Sequence, residues 1–259
     1  MTESTLFDIN KLTSSQIAGI CDHTFLDRTE AFKVRAKQEE NPIDSRQRAF
    51  FSFLENTPTI GARVPYAVCV RPEDVRIAKN YFAHRGGKVK VASVVGFPDG
   101  ANYSTEAKVS ETRLALLHGA REIDMVLNYK LLREKTYCEH VLREVMTVTQ
   151  TAHSKGALVK VILEISELDN DQIIRACDIA NRAQADFVKT STGFSSGGAT
   201  LEALEIMRAV FRGGIKISGG VTPDNVRGLL YAASGRNDAM IDLDPMMIRI
   251  GESSLLDKL

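Results

Sequence analysis

Short β-branched runs alternate with longer amphipathic stretches along this chain, and that alternation restricts the fold more than any other feature. Candidate strands lie around 20–24, 66–70, 89–95, 122–127, 158–163, 186–189, 215–217 and 248–250. Between them, apolar residues recur at helical spacing, as in Ala107, Val109, Leu114 and Leu117, or in Val141, Leu142, Val145 and Val148. Several connections end on glycine just before the next run: Gly119-Ala120, Gly156-Ala157 and Gly213-Gly214. Glycine there stops a helix before a βα unit restarts. Strands alternating with helices make an all-parallel sheet, and eight strands is the number that closes into a barrel. An open, doubly wound sheet is the competing architecture, but it usually carries G-x-G-x-x-G after its first strand, and none is present. The expectation is therefore an α/β fold, a single (β/α)8 TIM barrel, with an extra N-terminal helix over roughly 11–19. The polar stretch 37–48 reads as a solvated helix-and-loop insertion between the first two strands.

A length of 259 residues suits one such barrel. No Pro/Gly/Ser-rich linker or low-complexity segment divides the chain, so residues 1–259 are expected to form one catalytic domain. Formal net charge is zero, which removes any global electrostatic case for nucleic acid or an anionic membrane. The four cysteines, Cys21, Cys69, Cys138 and Cys177, are scattered without a C-x-x-C pair. Free thiols in a reducing compartment are the expectation, not disulfides or a zinc knuckle. The opening MTESTLFDIN lacks a basic region followed by an apolar run, and no apolar run could span a bilayer, so a cytoplasmic location is expected. The five histidines show no H-E-x-x-H spacing, which disfavours a metal-dependent reaction.

In barrels of this kind the reactive groups lie at the carboxyl ends of the strands. Asp124 lies in Glu122-Ile-Asp-Met-Val, Lys189 ends Asp186-Phe-Val-Lys, Lys216 lies in Gly214-Ile-Lys-Ile, and Lys160 lies in Leu158-Val-Lys-Val. A lysine in an apolar strand is costly unless paired, and any one of these could simply snorkel or form an ion pair. Three lysines and an aspartate on neighbouring inner strands suggest a cluster with a use. An amine must lose its proton to attack a carbonyl. A neighbouring ammonium and partial desolvation can bring a lysine from about 10.4 toward roughly 7–8. One lysine would be the nucleophile and a second would depress its pKa. The carboxylate would hold the second lysine charged and move protons. This is imine catalysis, and it needs no cofactor.

Three loops follow consecutive strands: Thr190-Ser-Thr-Gly193, Ser218-Gly-Gly220 and Gly251-Glu-Ser-Ser254. Glycines let backbone N–H groups approach an anion, and phosphate sites of many barrels follow strands seven and eight. A lone Gly-Gly is more often just a turn. Three such loops in series point to a phosphorylated ligand.

These residues carry a wider pattern. Asp22-His-Thr-Phe-Leu, Ala67-Val-Cys-Val, Val94-Val-Gly-Phe-Pro, Glu122-Ile-Asp-Met-Val, Phe187-Val-Lys-Thr-Ser-Thr-Gly-Phe, Ile215-Lys-Ile-Ser-Gly-Gly-Val and Ile248-Arg-Ile-Gly-Glu-Ser-Ser run in order over nearly the whole chain. In this respect the chain resembles the class I deoxyribose-phosphate aldolases. The resemblance implies reversible cleavage of 2-deoxy-D-ribose 5-phosphate to D-glyceraldehyde 3-phosphate and acetaldehyde. It implies Lys189 as the imine-forming lysine, Lys216 as the lysine that perturbs it, Asp124 as the proton relay and Lys160 as support. Asp22, Thr24 and Cys69 match positions at the small-aldehyde end of the pocket, although Cys69 reads equally well as a core thiol. Gly193, Gly219, Gly220, Gly251, Ser253 and Ser254 match the phosphate loops. A homodimer is a candidate assembly.

Two departures from the family pattern stand out. Thr222-Pro223 and Phe194 occupy places where relatives often carry basic residues, and Glu252 does not help an anion bind. The alternatives are an acid–base phosphosugar isomerase or related lyase on the same barrel, and a non-catalytic ligand-binding barrel. His23 adjoins Asp22, but adjacent strand residues face opposite ways, so His23 is expected to face the helices.

Overall fold

The computed structural model describes residues 5–35 and 41–259. Eight parallel strands close into a barrel. They are β1 Cys21–Thr24, β2 Ala67–Val70, β3 Lys90–Val95, β4 Glu122–Val126, β5 Leu158–Ile162, β6 Phe187–Lys189, β7 Gly214–Ser218 and β8 Ile248–Glu252. All coincide with the β-branched runs of the sequence. Closure is made by β8, which pairs with β7 on one side and with β1 on the other. Helices run between the strands, among them Thr105–Leu117, Cys138–His153, Asn170–Arg182 and Leu201–Val210.

The strand period of two divides each strand between two environments. Ile123, Met125, Val159, Val161, Val188, Ile215, Ile217, Ile248 and Ile250 belong to the large core that includes the helices. Alternate residues point into the barrel, and there the usual branched apolar layers are largely replaced by charge. Asp22, Glu122, Asp124, Lys160, Lys216 and Arg249 are all buried inside. A smaller apolar cluster of Leu26, Cys69, Ala92, Val94, Phe97, Val126 and Ile162 covers the side next to β2–β5.

The expected N-terminal helix is shorter than its spacing suggested. It spans Ser14–Ala18, fixed by a capping box between Thr13 and Gln16, and a 3-10 turn Ile9–Lys11 precedes it. The polar stretch 37–48 falls partly outside the described residues. From Pro42 onward it is helix Pro42–Asn56, capped by Asn41 with Pro42 at its start. Residues 42–48 are exposed or half-buried, in keeping with a solvated stretch, and the helix continues beyond it to bury Phe50 and Leu54. One element has no counterpart in the sequence reading: Leu6–Asp8 pairs antiparallel with Met240–Asp242. No helix among the described residues is long and apolar enough to cross a membrane.

Candidate active site

The charged interior forms one connected network. Asp124 on β4 is its centre. Its Oδ2 accepts from Lys189 Nζ at 3.1 Å and from Lys216 Nζ at 2.8 Å, while its Oδ1 accepts from Lys160 Nζ at 2.8 Å. Lys216 also donates to Asp22 Oδ2 at 2.5 Å. Lys160 reaches Glu122 Oε2 at 2.5 Å and Asp22 Oδ2 at 3.7 Å. Arg249 on β8 completes the set, with Nη1 2.5 Å from Asp22 Oδ1 and Nη2 2.8 Å from Glu122 Oε1. Its guanidinium stacks 3.6 Å from the centre of the Tyr66 ring.

Counting charges decides how the network behaves. Among the described residues, four cationic side chains (Lys160, Lys189, Lys216 and Arg249) meet three carboxylates (Asp22, Glu122 and Asp124). One cation is in excess, among side chains that are almost wholly buried. Lys216 touches two carboxylates, which hold its ammonium charged well above the usual lysine range despite burial. Lys160 is likewise raised against burial, by Asp124, Glu122 and Asp22. Lys189 touches only Asp124, and burial together with the Lys216 charge lowers its pKa. The neighbouring cations hold Asp124 and Asp22 below the ordinary carboxylate range, although burial opposes them. The network is balanced when Lys189 is neutral.

Lys189 also opens onto a cavity of about 630 Å³ at the carboxyl ends of the strands. Thr24 lines this cavity, and its hydroxyl donates to the Asp22 carbonyl at 2.9 Å. Asp22 and Cys69 do not line it. Asp22 is inside the ion network, and Cys69 Sγ lies 3.9 Å from Asp124 Oδ2 within the small apolar cluster. Burial pushes the Cys69 thiol up to about 11, so it stays protonated at neutral pH.

The three glycine loops gather at the same mouth. Gly193, Gly219, Gly220, Ser253 and Ser254 line it. Gly193, Gly219 and Gly220 have φ of 80°, 86° and 71°, a conformation that favours glycine. Thr190 joins two of the loops, its hydroxyl donating to the Ser218 carbonyl at 2.8 Å and accepting the Ser218 N–H at 2.9 Å. Gly251 has a further steric duty. A Cβ there would meet Lys216 Cε at 2.9 Å and Ser218 Oγ at 3.0 Å.

Three residues that shape this site have no role assigned from sequence: Glu122, Arg249 and Glu164. Arg249 carries the same signal as Asp124, a charge inside an apolar strand, while Glu122 opens β4 beside Arg121, and the partners of both are distant in the chain. Glu164 follows β5 with φ 57°, left-handed for a non-glycine residue. Its carboxylate accepts the Thr192 hydroxyl at 2.5 Å and the Thr192 N–H at 3.3 Å, which anchors the loop after Lys189. His23, as expected, faces outward to a helix, stacked on Phe53 with ring centres 4.8 Å apart, and its Nδ1 lies 2.6 Å from Glu252 Oε1.

A closed parallel barrel, with a buried lysine cluster whose Lys189 opens onto a cavity at the strand ends, is the architecture of an α/β-barrel enzyme. The family follows from comparison with known proteins. Residues 37–241 match the model of the DeoC/LacD family of aldolases, and the chain belongs to that family. It is 47% identical over 174 residues to the deoxyribose-phosphate aldolase of Thermococcus gammatolerans, which covers 66% of this chain and 76% of that one. It is 43% identical over 223 residues to that of Bacillus cytotoxicus, covering 85% and 90%. Among solved structures, the tetrameric deoxyribose phosphate aldolase of Aeropyrum pernix superposes with a TM-score of 0.67 at 28% identity, covering 96% of each chain.

Proposed function

We propose that this aldolase reversibly cleaves 2-deoxy-D-ribose 5-phosphate to D-glyceraldehyde 3-phosphate and acetaldehyde, through an imine at Lys189. The observation that carries the reading is the charge imbalance. The network contains one more cation than carboxylate, and the cation with the weakest anionic support is the one exposed to the cavity. Identity of 43% over most of the length of a deoxyribose-phosphate aldolase supports the choice of substrate.

The steps assign a task to each residue. Neutral Lys189 attacks C1 of the open-chain sugar, forming a C–N bond. The carbonyl oxygen takes up protons and leaves as water. The resulting iminium draws electrons from the C2–C3 bond as the C3 hydroxyl loses its proton. Glyceraldehyde 3-phosphate departs, and a two-carbon enamine remains on Lys189. Protonation of that enamine at C2 and hydrolysis of the C–N bond release acetaldehyde and restore the amine. Lys216 remains an ammonium, so its charge opposes protonation of Lys189. Asp124 is within hydrogen-bonding distance of both amines and passes protons between Lys189 and the substrate. Asp22, Lys160, Glu122 and Arg249 hold this pair in place. The glycine loops at the mouth receive the phosphate.

Incubation with acetaldehyde and borohydride, followed by peptide mapping by mass spectrometry, tests the assignment. A reduced two-carbon adduct at Lys189, absent from Lys189→Ala, is expected. An acid–base isomerase on the same barrel would give no adduct.

A further inference from the structure

The mouth that would receive a phosphate is short of positive charge. Among the described residues lining the cavity, the basic side chains are Lys189 and Lys258. Lys189 is at the floor and is reserved for carbon chemistry. Thr222 and Phe194, from the loops after β7 and β6, line the wall without charge. The turn after β8 also offers fewer backbone donors than its sequence suggests. Glu252 Oε2 already accepts the Leu255 N–H at 2.7 Å and the Leu256 N–H at 3.3 Å, and the other oxygen of Glu252 is bound to His23. Two amides that could have faced an anion are thus occupied by a carboxylate.

Lys258 is placed to make up the deficit. It ends the 3-10 turn Leu256–Lys258, and its Nζ lies 3.3 Å from Ser254 Oγ. The turn is fixed on both sides. Leu255 and Leu256 are buried, Lys258 N–H donates to the Leu255 carbonyl at 2.9 Å, and the Leu259 carbonyl accepts from Arg63 Nη2 at 2.5 Å. A lysine on a fixed turn, beside a serine of the mouth, is a cation held where a phosphate ester would enter. A phosphate monoester carries roughly −1.5 to −2 charge near neutral pH, so a nearby ammonium forms a charge-assisted hydrogen bond with it.

We infer that Lys258, together with Ser254, supplies the positive charge that selects a phosphorylated substrate in this chain. The inference rests on the phosphate-ester reading above, and one experiment separates the two. The ratio of kcat/KM for 2-deoxyribose 5-phosphate to that for unphosphorylated 2-deoxyribose is measured for the unmodified protein, Lys258→Gln and Lys258→Arg. The expected result is a preference for the phosphate ester that falls about tenfold in Lys258→Gln and returns in Lys258→Arg. Inorganic phosphate should inhibit the Gln variant correspondingly less well. An undiminished preference in Lys258→Gln would overturn the role of Lys258 while leaving phosphate selection intact. A fall in activity on both sugars by the same factor would overturn it too, by showing a structural effect. No preference in the unmodified protein would overturn the phosphate-ester reading itself.

Discussion

Protonating Lys189 adds a fourth cation to a buried network whose three carboxylates are already matched by Lys160, Lys216 and Arg249. The lowered pKa of Lys189 is therefore also a statement about stability. An unfolded lysine titrates near about 10.4. A folded-state pKa below that means the folded protein holds its proton less tightly than the unfolded chain. The resulting penalty is fully present below the folded pKa and disappears as pH rises past the unfolded value. Lys189→Met removes the amine and keeps much of its volume. It should be at least as stable as the parent at pH 7, and the parent should gain on it as pH approaches about 10. Thermal unfolding of both proteins across this pH range checks the sign. A variant less stable at pH 7, by a margin that does not change with pH, would contradict it.

At the scale of elements, the contact between β7 and β8 positions the second amine. Arg249 is opposite Lys216 in the ladder, and Gly251 is opposite Ser218. The missing side chain of Gly251 leaves room for the Lys216 stem, whose ammonium is tied to both Asp22 and Asp124. That tether limits how far Lys216 can move aside. Gly251→Ala should therefore displace Lys216 and reduce kcat by about tenfold to a hundredfold, since small errors in placement are costly. Gly220→Ala is the comparison. It has a positive φ but nothing within 4 Å of an added Cβ, so its effect should be backbone strain alone. Steady-state kinetics of the two variants would show the contrast, and an unaltered kcat in Gly251→Ala would refute the steric account. The strands themselves were readable from sequence because β-branched runs alternate with helical spacing, and glycine stops precede β4, β5 and β7. The Leu6–Asp8 and Met240–Asp242 pair was not, because three residues show no period and their partners are far apart in the chain.

Across the whole molecule, barrel closure makes the network. Asp22 and Lys216 are 194 residues apart, and Arg249 and Asp22 are 227 apart. Lys216, Lys160 and Asp124 could be singled out from sequence because each interrupts an apolar run, and Lys189 because it ends one. Asp22 was placed at the pocket wall by family pattern, whereas its carboxylate lies inside the ion network. Arg249 interrupts an apolar run just as plainly, whereas Glu122 follows Arg121 at the start of its strand and reads as surface charge. Their purpose appears only when the last strand closes on the first and the inner charges can be counted. The same holds for Lys258, whose place depends on a C-terminal turn packed over the completed barrel. If Lys216 makes Lys189 a neutral amine, the rate of reductive trapping at Lys189 as a function of pH reports it. The expected midpoint lies below that of an ordinary lysine. A shift to higher pH is also expected in Lys216→Leu, which removes a cation and leaves Asp22 and Asp124 in place. An ordinary or higher midpoint in the unmodified protein, or the same midpoint in both, would contradict that role of Lys216.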